Sequence, residues 1–178
     1  MLTPSTLTDI ASNLRNLAKI VEGTTIDCHH DVCIPFSEIR KDYPAQTLKS
    51  LTNWCSADAR HIYQFSVENN VYEEFYGAFK EAKLNRKNGR AYCRLNPASA
   101  LLYVGSSSDL VSRIKQHLGF GNKGTYAMQL CHWLPELEGM LRIQAWRFSK
   151  EIDGAVVQAI EDGMWASNRP MFGRQGAR

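Results

Sequence analysis

The run from Arg90 to Gly119 (RAYCRLNPASALLYVGSSSDLVSRIKQHLG) constrains the fold of this chain more than any other. Two β-forming stretches, 90–95 and 100–105, flank Asn96-Pro97-Ala98-Ser99, a string of turn-forming residues. A helix is predicted over 109–118. Ser107 or Ser108 can cap its start, and Gly119 can supply the left-handed residue that ends it. A hairpin leading into a helix implies an α+β fold with an antiparallel sheet. If the hairpin closes at 96–99, Leu95 pairs with Ala100, and Tyr92 then faces Tyr103 with Cβ atoms about 5 Å apart.

Around this run the pattern is mixed. Residues 5–21 carry apolar side chains at Leu7, Ile10, Leu14, Leu17 and Val21, the spacing of an amphipathic helix. Short helices are expected at 35–39 and 45–54, a strand at 60–67 and a helix at 72–83. The basic, turn-rich stretch 83–89 is the best domain boundary. After the hairpin and its helix come a helix near 126–134, a strand at 141–148 and a helix from Ile152 to about Ser167, stopped by Pro170. The expectation is therefore a mainly helical N-terminal region, 1–85, followed by a domain, 86–178, with a small antiparallel three-stranded sheet flanked by helices.

Charge divides at the same place. Residues 1–85 carry a net −3 and residues 86–178 a net +6. A basic C-terminal half suits a polyanion such as nucleic acid, although uneven charge in a small protein needs no function to explain it. Five scattered cysteines do not form a disulfide framework and fit a reducing compartment. No run approaches the ~20 apolar residues of a membrane span, and the N-terminus lacks the pattern of a secretory signal. A cytoplasmic protein with no membrane role is expected. Cys28, His29, His30 and Cys33 match no standard zinc spacing. The acidic balance of 1–85 points away from DNA contact and toward packing, a protein partner or an oligomer contact. The tail 169–178 reads as a solvated terminus.

Arg113 and His117 lie four residues apart and share one face of their helix, with Asp109 a turn earlier. Each piece also has a plain reading: a tyrosine pair can simply stabilise a sheet, and Asp109–Arg113 can be a surface ion pair. Together, however, Tyr92, Tyr103-Val104-Gly105, Arg113 and His117 resemble the core of the GIY-YIG nucleases. In that family a degenerate Gly-Ile-Tyr strand is followed, about eleven residues later, by a Tyr-Ile-Gly strand, and a helix then carries an arginine and often a histidine one turn on; Tyr92, Tyr103, Arg113 and His117 keep that spacing. Of the first motif, Arg90-Ala91-Tyr92 keeps only the tyrosine. Glu161, with Pro170 nine residues on, matches the family's metal-binding glutamate, whereas Gly173 stands where the family commonly has asparagine.

The resemblance implies a metal-dependent endonuclease acting on nucleic acid, DNA before RNA. Glu161 would hold Mg²⁺ (or Mn²⁺), Arg113 the scissile phosphate, and Tyr92 or His117 would activate water, with Tyr103 positioning water or phosphate. Gly105 admits close approach of a ligand, and Arg94, Lys115 and Lys123 are candidate substrate contacts. The alternative is a non-catalytic nucleic-acid-binding module that retains the same fold.

Overall fold

The computed structural model describes residues 2–55, 59–68 and 71–176. Helix α1 (Pro4–Gly23) is followed by strand β1 (Cys28–Pro35), short helices α2 (Phe36–Lys41) and α3 (Lys49–Trp54), strand β2 (Ala59–Ser66) and helix α4 (Tyr72–Leu84). Strand β3 (Leu101–Ser107), helix α5 (Leu110–Leu118), strand β4 (Met140–Ser149) and helix α6 (Gly154–Asn168) complete the chain. The four strands form one antiparallel sheet in the order β1-β4-β2-β3. The fold is α+β, as expected, but the sheet has four strands rather than three.

Two corrections follow. First, residues 90–95 are not a strand paired with β3. They make isolated bridges only, Tyr92 to Ala127 and Leu95 to Phe172, and β3 pairs instead with β2. The turn-like 96–99 does not close a hairpin, because Asn96 is tied to the C-terminal segment. Its backbone N–H donates to Met171 O, and its side chain donates to the carbonyls of Pro170 and Gly173. Second, the stretch 83–89 does not divide a mainly helical region, 1–85, from a domain that carries the whole sheet. β1 and β2 come from 1–85, β3 and β4 from 86–178, and all four share one ladder. One core joins Ile34, Phe36, Leu51 and Phe79 from the first half to Leu102, Ile114, Trp133 and Phe172 from the second. A pattern such as the alternating burial of β1 (CHHDVCIP) becomes meaningful only beside β4.

The expected helix near 126–134 reduces to a single 3₁₀ turn, Leu130–His132. The tail is not fully solvated either. Residues 170–173 are buried and run beside β3, with Met171 and Phe172 donating to the carbonyls of Leu101 and Leu102. α6 covers the face of the sheet that carries Ile62 and Phe148, packing Val157 there, while α5 and the larger core lie on the other face. β3 forms the sheet's edge.

α1 follows its expected periodicity but buries no residue. Leu7, Ile10, Leu14 and Ile20 remain exposed, Leu14 at 61%. Among the described residues no helix is long and apolar enough to cross a membrane. Because Leu14 contributes nothing to the core, Leu14→Gln is expected to change stability by no more than about 0.5 kcal/mol. Thermal unfolding at low protein concentration checks this, and a larger loss would mean that the face is covered in solution.

Candidate active site

The site is assembled around β3, the last strand of the sheet. In the β2–β3 ladder Tyr63 lies opposite Gly105 and Phe65 opposite Tyr103. The alternation of side chains along a strand therefore puts Tyr63 and Tyr103 on one face. Their rings lie nearly parallel, 14° apart, with centroids 6.1 Å from each other. Gly105 permits this arrangement. A Cβ there would stand 2.7 Å from Tyr63 Oη and 2.8 Å from Tyr103 Cε1. Both contacts are too close for any real side chain, so the rings would have to shift. Gly105→Ala is expected to cost about 1–3 kcal/mol through overpacking, measurable by chemical denaturation.

α5 supplies the next two groups. Asp109 caps it by accepting the N–H of Ser112 at 3.0 Å, so the cap is Asp109 rather than Ser107 or Ser108. Gly119 ends it in the left-handed region, φ 100°, as expected. Arg113 points toward the phenols. One Nη donates to Tyr103 Oη at 3.3 Å and the other to Gln116 Oε1 at 2.7 Å, which orients the guanidinium.

His117 is fully buried behind them, its ring centroid 4.2 Å from that of Tyr103. Burial, helped by the charge of Arg113, holds its pKa well below the usual imidazole value. The ring is therefore neutral at pH 7. The Met128 N–H can only donate, and it meets His117 Nδ1 at 3.4 Å. That makes Nδ1 the acceptor and leaves the proton on Nε2, which donates to Tyr63 Oη at 3.2 Å.

From the opposite face of the sheet, α6 brings Glu161, only 8% exposed. Ser106 Oγ donates to Glu161 Oε2 at 2.6 Å. Burial raises the carboxyl above its ordinary value; the hydrogen bonds from Ser106 and the charge of Arg113 pull the other way. Tyr63, Tyr103, Arg113, Ser106 and Glu161 line one open cavity of about 350 Å³.

Of the five residues expected at the catalytic centre, Tyr103, Arg113, His117 and Glu161 are brought together. Tyr92 is not. Its ring packs edge-on against Phe79, its hydroxyl donates to Lys87 O at 3.1 Å, and it lines a different cavity. Phe65, not a tyrosine, stands directly opposite Tyr103; the tyrosine stacked on Tyr103 is Tyr63, two residues along β2. The signal that could have found it is the alternation of the β-rich run 60–67, which sets Tyr63 and Phe65 on one face of a strand. Of the expected substrate contacts, Gly105 is at the site and Arg94 lines that second cavity. Lys115 is exposed, with its ammonium 5.7 Å from the Tyr43 ring centroid. Lys123 lies in the loop after α5, where its carbonyl accepts from Ala91 N–H. Gly173 has φ 92°, and a Cβ there would be 2.9 Å from the Tyr103 ring. An asparagine at this position would displace that ring.

A divalent cation fits the donor set. The cavity offers one largely desolvated carboxylate, Glu161, beside the Ser106 hydroxyl. Mg²⁺ is commonly held by one or two carboxylates, its remaining positions filled by water and substrate phosphate. Among the described residues no group of three His, Cys, Asp or Glu could hold a metal alone, so such an ion would depend on water and substrate for its other ligands. Compared with known proteins, the chain matches no family model, no curated protein and no solved structure.

Proposed function

We propose that the protein is a metal-dependent nuclease that hydrolyses phosphodiesters, with DNA as the favoured substrate. The observation that carries this reading is the convergence of a fixed cation, a desolvated carboxylate and two stacked phenols, one of them backed by histidine, on one open cavity. Phosphodiester hydrolysis needs an activated water, a partner for the phosphate charge and help for the leaving oxygen. The basic second half of the chain favours a polyanionic substrate.

The GIY-YIG resemblance adds Tyr103, Arg113, His117 and Glu161 to this reading, but its first motif at Tyr92 does not reach the site, and putting Tyr63 there replaces the family's spacing of about eleven residues with forty. Ile62-Tyr63 on β2 retains two residues of the family's first motif, and Tyr103-Val104-Gly105 on the adjacent strand keeps the second. The two tyrosines are forty positions apart, and the intervening chain includes α4.

Arg113 binds the scissile phosphate through the part of its planar fork not engaged by Tyr103 and Gln116. Tyr63 is the general base and acts as tyrosinate. Burial raises its pKa well above 10, and the His117 Nε2–H donor together with the charge of Arg113 favours the ionised form. His117 does not remove the proton itself, because it does not line the cavity, as Tyr63 does, and its Nε2 already carries a proton. Ser106 orients Glu161, which would hold the divalent ion; when bound, such an ion would supply charge stabilisation for the phosphate and the leaving oxygen.

Conversion of supercoiled plasmid to nicked or linear form tests the proposal. Cleavage is expected with Mg²⁺ or Mn²⁺ and none with EDTA. DNA binding without cleavage under any metal would favour the non-catalytic module instead.

A further inference from the structure

Tyr103 and Arg113 each line two cavities. The first contains Glu161. The second, of about 490 Å³, opens on the other side of the same two residues and is lined by Lys83, Arg94, Tyr126 and Arg174 as well. No carboxylate lines it. Among the described residues the single ion pair, Arg142–Asp31, lies elsewhere, on the β1–β4 ladder. Lys83 is already engaged, donating to Cys93 O at 2.5 Å. Arg94 and Arg174 are exposed at the rim.

Tyr126 is 72% exposed, yet the loop that presents it is tied down on both sides. Ala91 N–H donates to Lys123 O, Cys93 N–H to Ala127 O, and the buried Gln129 side chain to Thr125 O. A large aromatic ring is thus held in solvent at the mouth of a positively charged cavity that adjoins the phosphate-binding arginine. Exposed aromatics interleaved with cations are how proteins hold unpaired nucleotides, since every base offers a face to stack. The cavity has the volume of an ordinary small-molecule site, enough for one nucleotide.

We propose that this second cavity receives one unpaired nucleotide next to the scissile phosphate, with its base stacked on Tyr126 and its flanking phosphate on Arg94 and Arg174. This rests on the nuclease reading. It makes the preferred substrate a DNA with a single-stranded overhang, flap or extruded base at the cut, rather than continuous duplex.

The test uses the full chain carrying Glu161→Gln, so that DNA is bound and not cut. It compares a blunt duplex with the same duplex bearing a short overhang that contains the fluorescent base 2-aminopurine. Adding Tyr126→Ala is expected to weaken overhang binding about tenfold or more, the usual worth of one stacked base. It should also abolish the quenching of the 2-aminopurine and leave blunt-duplex affinity within about twofold, whereas Tyr126→Trp keeps both the affinity and the quenching. Unchanged overhang affinity in Tyr126→Ala, or an equal loss on both DNAs, overturns the subsite while leaving the nuclease reading standing. Failure of the Glu161→Gln protein to bind either DNA, with no metal-dependent cleavage by the unmutated chain, overturns both.

Discussion

Replacing Glu161 with glutamine is expected to remove metal-dependent cleavage, by about a thousandfold or more, while leaving the protein at least as stable as before. The loss follows from the donor set. Glu161 is the carboxylate that lines the cavity, and a neutral amide is a far weaker ligand for a hard cation. An ion that supplies several kcal/mol of transition-state stabilisation takes a rate factor of about that size with it. The stability result follows from burial. The folded-state pKa of Glu161 is raised above its ordinary 4.5, with desolvation as the largest cause. Between 4.5 and the raised value the folded chain binds more protons than the unfolded one. Stability contributed by this group is therefore present at low pH and lost as pH rises through that window. Glutamine carries no charge and can still accept from Ser106, so it avoids that loss at pH 7. Cleavage assays paired with thermal unfolding at pH 7 check both halves. Full activity in Glu161→Gln would end the metal assignment, and a marked fall in melting temperature would show that the carboxylate is instead a structural partner.

The second large effect separates the two tyrosines. Tyr63→Phe is expected to reduce kcat/KM by about a hundred- to ten-thousandfold, the usual range for removing a general base. Tyr92→Phe should leave kcat/KM within about threefold, since its hydroxyl is spent on Lys87 O and the residue does not line the cavity that holds Glu161. The pH dependence gives an independent readout. The pKa of Tyr63 is raised well above 10 by burial, so below that pKa the tyrosinate fraction grows about tenfold per pH unit. kcat/KM of the unmutated protein should rise with the same slope from about pH 7 to 9, and the slope should vanish in Tyr63→Phe. A retained slope in Tyr63→Phe would move the base elsewhere, to water on the cation. Loss of activity in Tyr92→Phe equal to that in Tyr63→Phe would contradict the site described above.

Much of the site was legible because it is local. The helical spacing of Arg113 and His117, the end at Gly119, the β-forming run Tyr103-Val104-Gly105 and the helix bearing Glu161 depend on residues a few positions apart, and all appear in the structure. The misreading began where pairing is non-local. Asn96-Pro97-Ala98-Ser99 has the chemistry of a turn, but turn chemistry specifies a hairpin only if the flanking strand prefers that partner. Here residues 91–95 bridge to Ala127 and Phe172, and β3 takes β2. That choice stacks Tyr63 on Tyr103, brings the Tyr63 hydroxyl to His117, and buries Phe65 and Leu102 in the shared core.

Short-range periodicity and capping carry the α+β class and most of the helices, so these were readable from the amino-acid sequence alone, as were the residue types gathered at the candidate site. The tertiary structure decided which tyrosine joins them. Strand order is settled by burial and hydrogen bonding across the whole sheet, and no window of sequence contains both sides of that competition. It also decided that β3 faces a cavity on either side of Arg113, a relation made only when α5, α6 and the loop bearing Tyr126 close around one strand.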